Sequence, residues 1–267
     1  MKKILLLFIS FSLILLCGCG TVASNENKSL ESQLNIEESK VEPSTVIQLQ
    51  NVITTNENVE ADAEWEVGKI YINQWKNSFG TKWIQYAIPV TNIGNEDIYL
   101  QPASVDLEDS EGHLLEAHNL VQVYPTVISS GETAYYYNNT ILDDSFVVAN
   151  VVPHVKASVS QLPKIRLPIS DVSLASDDIV KGIKISGRVE NNENDSFSMI
   201  YVVAHVFNKN GELIARPMTI LNNTIEPGDK YGFTAVEVGS SPDVTLENID
   251  SYELYAFPLQ NYLFVVS

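Results

Sequence analysis

The chain is 267 residues long and 45% hydrophobic, with a formal net charge of −18. That acidic excess argues against nucleic acid as a partner, since phosphates demand a basic patch, and it repels anionic headgroups and wall polymers. The two cysteines, Cys17 and Cys19, both lie near the N-terminus. The rest of the chain therefore has neither an internal disulfide nor a thiolate metal site, and packed apolar surface must stabilise it.

Lys2 and Lys3 precede an apolar stretch from Ile4 to Leu16. As a helix this stretch rises about 20 Å, short of the roughly 30 Å of a bilayer core, so it predicts a signal peptide rather than a permanent span. Its end, Leu16-Cys17-Gly18-Cys19, resembles the bacterial lipobox: a Leu, two small residues, then Cys. The resemblance implies a lipoprotein cut before Cys19, with a diacylglyceryl group on the Cys19 thiol. Cys17 is the weaker candidate, because Leu15 and Leu16 are too bulky for the cut. An ordinary secretory signal is the alternative, but its usual A-x-A-like site is missing. Two acyl chains meet the requirement for stable membrane attachment. Loss of residues 1–18 would bring the net charge near −20.

Residues 19–64 then read as a lipidated Cys and an acidic tether. Gly20 to Glu64 holds nine acids, two bases and no aromatic residue. Low hydrophobicity with a like-charge excess predicts disorder, with a mean reach of about 35–40 Å. Val46–Ile53 is apolar enough for transient local order.

From Trp65 the chain changes to short alternating runs separated by Gly, Asn and Asp, and the second half repeats the first at an offset of 99 residues. Ile84, Tyr86, Ile88 and Val90 answer Ile183, Ile185, Gly187 and Val189. Asn92 answers Asn191, and Asp109-Ser110-Glu111-Gly112 answers Asn208-Lys209-Asn210-Gly211. After a two-residue shift Ser130-Gly131 answers Pro227-Gly228, and Tyr136 answers Phe233. Period-two alternation with frequent turn signals predicts an all-β chain of two tandem antiparallel β-sandwich domains, at about 65–160 and 164–267. Gly112 and Gly211 stand where a hairpin needs positive φ. Pro163 and Pro168 mark a short, stiff connector.

Ser186-Gly187-Arg188-Val189-Glu190-Asn191, the strand Tyr201–Asn208 with its Gly211 turn, and Ile225-Glu226-Pro227-Gly228 leading to Phe233 together resemble the FxLYD domain. The naming motif is degenerate, with Ala204-His205-Val206-Phe207-Asn208 in its place. The first half matches more loosely. The resemblance implies Ig-like β-sandwiches on a bacterial surface lipoprotein, with no shared catalytic site.

No hydrolase, zinc, Walker or dinucleotide motif occurs. The histidines, His113, His118, His154 and His205, are scattered, and His205 is expected at a solvent-facing strand position. Asp106, Glu108, Asp109 and Glu111 raise calcium as a ligand, but their spacing does not fit an EF-hand loop, and a solvated turn is favoured. In Tyr135-Tyr136-Tyr137, an inward Tyr136 turns Tyr135 and Tyr137 to the opposite face. There they form either a stacking patch for a sugar, peptide or protein partner, or a packing surface for the other domain or the tether. Tyr262–Val266 reads as a strand that closes its own sheet or accepts a partner strand.

The combined expectation is a lipid-anchored protein on the extracytoplasmic face of a bacterial cell membrane, in a Gram-positive cell. It acts without catalysis or cofactor, by binding an envelope protein or polymer. The alternative is a structural spacer in an envelope complex.

Overall fold

The computed structural model describes residues 63–177 and 182–259. Cys19, the acidic tether and Tyr262–Val266 lie outside them. The first half forms β1 (Trp65–Val67), β2 (Tyr71–Lys76), β3 (Lys82–Asn92), β4 (Ile98–Leu100), β5 (Ala103–Glu108) and β6 (Leu114–Val121). It continues with β7 (Val123–Tyr124), β8 (Val127–Ile128), β9 (Thr133–Ile141), β10 (Asn150–His154) and β11 (Ala157–Val159). The second half forms β12 (Ile169–Asp177), β13 (Gly182–Glu190), β14 (Ile200–Asn208) and β15 (Leu213–Ala215). It closes with β16 (Met218–Leu221), β17 (Lys230–Val236) and β18 (Ile249–Pro258). Every described element is a strand and every pairing is antiparallel, so the fold is all-β.

Alternation along β3 and β9 decides which side chains enter the first core. Ile84, Tyr86, Ile88 and Val90 point inward with Ala134 and Tyr136, and they meet Ile98, Leu100, Val105 and Leu107 from β4 and β5. The β1-β3-β9-β7 sheet, with β2 also on β3, thus forms one layer of a sandwich-like core. The sheets β10-β5-β6 and β11-β4-β8 supply the other strands. The second core gathers Ile183, Ile185 and Val189 of β13, Phe233 and Ala235 of β17, and Val202, Ala204 and Val206 of β14. These strands share one sheet, ordered β12-β13-β17-β16-β14-β15 with β18 on β14. Within it β16 meets β17 through the single pair Met218↔Val236.

The repeat read from sequence reappears as matching hydrogen bonds. Asn92 Nδ2 donates to Glu96 O at 2.8 Å and Ile128 O at 3.1 Å, while its Oδ1 accepts from Gly94 N at 3.0 Å. Asn191 Nδ2 donates to Asp195 O at 2.8 Å and Ile225 O at 2.9 Å, and its Oδ1 accepts from Glu193 N at 3.0 Å. Both asparagines are fully buried, and each side chain ties together backbone groups of two neighbouring segments. The hairpin turns also correspond. Asp109 Oδ1 accepts from Glu111 N and His113 N, and Asn208 Oδ1 accepts from Asn210 N and Glu212 N. Gly112 and Gly211 take φ of 82° and 73°, as such turns require.

The connector belongs to both halves. Lys164 Nζ reaches Ser129 Oγ at 2.9 Å, and Arg166 Nη2 donates to Val127 O at 2.6 Å. Leu167 enters the second core and donates its amide to Ala256 O at 2.8 Å.

Gly187 faces Phe233 across the β13–β17 ladder, and a Cβ built there lies 2.9 Å from the Phe233 ring. Gly187→Ala is therefore expected to lower stability by about 1–3 kcal/mol through overpacking, read as a lower urea midpoint.

Candidate functional site

The outward face of the β3–β9 pair carries Gln85, Ala87 and Pro89 beside Asn139, Tyr137 and Tyr135. In an isolated sandwich this face would meet water. Here it meets β14, whose inner face is already used by Val202, Ala204 and Val206. The opposite β14 residues, Tyr201, Val203, His205 and Phe207, pack against the first half. Polar ties cross the same seam: Gln85 Nε2 donates to Ile214 O at 2.8 Å, and Asn73 Nδ2 to Ser241 Oγ at 2.9 Å.

Tyr137 is 4% exposed, and its hydroxyl donates to Glu237 Oε1. Glu237 also accepts from Asn139 Nδ2 at 3.1 Å and from the Arg216 backbone N–H at 2.8 Å. The Arg216 guanidinium carbon lies 4.8 Å from the Tyr137 ring centroid and 5.2 Å from that of Tyr124, and Nη1 donates to Gln122 O at 3.0 Å. Burial raises the Glu237 carboxyl above its ordinary value, against these hydrogen bonds and the attraction of Arg216. Desolvation also raises the Tyr137 hydroxyl, helped by the neighbouring Glu237 charge. The arrangement suits cohesion: Tyr137, Glu237 and Arg216 direct their contacts onto the protein itself, while Asn139 Oδ1 is buried without a hydrogen-bond partner.

Tyr135 differs. It is half-buried, edge-on to His205 at 4.9 Å and tilted on Phe207 at 5.6 Å. One side of it lines a cleft of about 270 Å³ with Tyr71, Pro89, Asn210 and Glu212. Its other side lines a cleft of about 310 Å³ with Thr133, Glu132, Glu253 and Tyr255. Lys69 lies 3.5 Å from Glu212 at the first cleft. In the second, Glu132 pairs with Lys164 and Glu253 accepts the Tyr255 hydroxyl at 2.7 Å.

Of the two readings of the tyrosine pair, a stacking patch or a packing surface for the other half, the two side chains divide between them. Tyr137 is closed off by Glu237 and Arg216, and only Tyr135 reaches solvent-accessible clefts. His205 corrects a second expectation. It is fully buried rather than solvent-facing, because Tyr135 and Tyr255 cover the β14 face that an isolated sheet would leave open. Neither ring nitrogen has a hydrogen-bond partner, and burial, with the positive Arg216 nearby, lowers its pKa to about 3.

The remaining histidines make local contacts: His118 with Tyr86 and Glu116, His113 with Asp109, and His154 with Asp106. Asp109 commits one carboxylate oxygen to its own turn. Among the described residues no three acid, His or Cys side chains group as metal ligands. Arg216, Glu237 and Tyr255 were not singled out in the sequence. The only signal was a charge interrupting an apolar run, as in Ala235-Val236-Glu237-Val238. No protein-family model matches the chain, and no curated protein compared with it is similar in sequence.

His205 yields a signed pH effect. The unfolded chain takes up a proton below the ordinary value of 6.5, while the folded chain stays unprotonated until about 3. Acidification through that window thus favours unfolding, by at most about 1.4 kcal/mol per pH unit. Glu237, raised on folding, acts in the opposite sense in both proteins of a comparison. His205→Phe is expected to flatten the fall in urea midpoint between pH 6.5 and 4 relative to wild type.

Proposed function

We propose that the chain is a non-catalytic binding module held by lipid on the extracytoplasmic face of a bacterial membrane. The anchor reading rests on Leu16-Cys17-Gly18-Cys19 and on the apolar stretch before it. Diacylglyceryl-Cys19 fastens the protein, and the acidic stretch to Glu64 holds the β-strand unit off the bilayer. FxLYD-like, Ig-like domains of a Gram-positive surface lipoprotein accord with the repeated Asn-plug and Gly-turn frame. The observation that carries the binding reading is the position of Tyr135, a half-buried aromatic wall shared by two clefts. An aromatic face beside carboxylates and backbone amides suits a sugar or peptide of the cell envelope.

Two measurements test this. Cys19→Ala is expected to move the protein from the membrane fraction to the soluble fraction, and unchanged fractionation removes the anchor. Tyr135→Ala is expected to lower retention of soluble cell-wall fragments at least about fivefold, since one well-placed aromatic contributes about 1–3 kcal/mol. Equal retention by the variant would instead favour the spacer role, to which the self-satisfied Tyr137–Glu237–Arg216 seam is suited.

A further inference from the structure

The cleft on the β18 side of Tyr135 joins side chains from both halves. It holds about 310 Å³, and Glu132, Thr133 and Tyr135 line it together with Glu253 and Tyr255 of β18. Pairing of β14 with β18 sets Tyr255 opposite Val203 and Glu253 opposite His205, so these four share the sheet face that looks toward the first half. His205 positions both rings, 4.9 Å from Tyr135 and 5.2 Å from Tyr255.

The two carboxylates differ in what answers them. Glu132 is engaged on both oxygens, Oε1 by Lys164 Nζ and Oε2 by the Ser129 amide at 2.8 Å. Glu253 accepts the Tyr255 hydroxyl through Oε2 at 2.7 Å and has no ion-pair partner among the described residues. Arg166 lies 5.8 Å from the Tyr255 centroid while its Nη2 donates to Val127 O at 2.6 Å, so this ring already has one cation against it. His205 is protonated only near pH 3, and no imidazolium behind the rings opposes a second cation at neutral pH.

We propose that this cleft binds a primary ammonium group of the ligand, with Glu253 Oε1 and the Tyr135 ring as its partners. The inference rests on the reading of Tyr135 as a recognition residue and narrows its ligand to one that bears an amine. A carboxylate without a countercharge beside two aromatic rings attracts a compact cation twice, through a charge-assisted hydrogen bond and through the ring quadrupole. The carbons that carry the amine lie along the apolar parts of the tyrosines. A neutral hydroxyl gains neither attraction, and both carboxylates repel an anion. The net charge of −18 draws cations at longer range. In the other cleft beside Tyr135 the carboxylate of Glu212 already has Lys69 at 3.5 Å, so ammonium recognition falls to the Glu253 side.

NMR titration of the purified full chain tests the proposal, followed at Tyr135, Glu253 and Tyr255. Two probes separate the sources of an amine: Nα-acetyl-lysine methylamide for a peptide side chain, and glucosamine for an amino sugar. Each is compared with its counterpart acetylated on that amine. At least one amine is expected to shift these signals saturably and to bind at least about threefold more tightly than its counterpart, the worth of one half-exposed charge pair with its cation–π contact. Whichever amine binds names the source. Glu253→Gln is expected to abolish this preference, while Glu111→Gln, an equal change of net charge outside the cleft, keeps it. The proposal is overturned if neither amine shifts the signals, if amine and counterpart bind equally, or if Glu253→Gln keeps the preference. Loss in both variants also overturns it, since overall charge would then be responsible. The titrations use no cell-wall material, so their failure is distinct from failure of the binding role. Wall fragments retained through Tyr135 with no amine bound would sink the ammonium assignment alone.

Discussion

The structure depends on β14 being covered on both faces. Val202, Ala204 and Val206 fill the second core, while Val203, His205 and Phe207 lie against the tyrosines of the first half. A strand with two apolar faces cannot leave either in water, so two sheet systems that each have their own core are held to one another. The described residues accordingly form one compact unit. The polar groups that cross the seam follow from the same constraint. Glu237, Arg216 and the amide nitrogens of Gln85 and Asn139 find protein partners there, while the amide oxygens of Gln85 and Asn139 are buried without one.

The repeat has kept its frame and diverged at its outer surfaces. Asn92 and Asn191, the paired turns, and the Tyr136 and Phe233 positions serve the same purposes in both halves. The residues beside them do not. Tyr135 and Tyr137 on β9 correspond to Gly232 and Thr234 on β17, and those two are exposed. On β17 the outward face is small and polar, with Thr234 hydrogen-bonded to Ser186 of β13 at 2.9 Å. Bulky outward residues on one half and small ones on the other give the pairing a direction: the β9 face of the first half is covered, and the β17 face of the second stays open to solvent.

That divergence also separates cohesion from recognition. Tyr137, with its hydroxyl on Glu237 and its ring under Arg216, has no surface left for a ligand. Tyr135, one residue to the other side of Tyr136, keeps part of its ring at two clefts because β14 covers it with His205 and Phe207 only along one edge. Two neighbouring side chains on one strand face thus differ in role by what sits opposite them.

By itself the sequence determined the all-β class, the alternating rows of β3 and β13, the correspondence of Asn92 with Asn191, and the positive-φ turns at Gly112 and Gly211. Each of these follows from period-two alternation or from the backbone needs of a single residue, both local properties. Alternation also placed Tyr135 and Tyr137 on the face opposite Tyr136. What covers that face, and therefore whether Tyr137 is buried, whether His205 meets water, and why Arg216 and Glu237 share a site, only the tertiary structure decided. The residues that close these faces come from distant parts of the chain, His205 against Tyr135, Glu237 against Tyr137 and Arg216 against Gln122, and no local pattern encodes which two sheet faces will exclude water together.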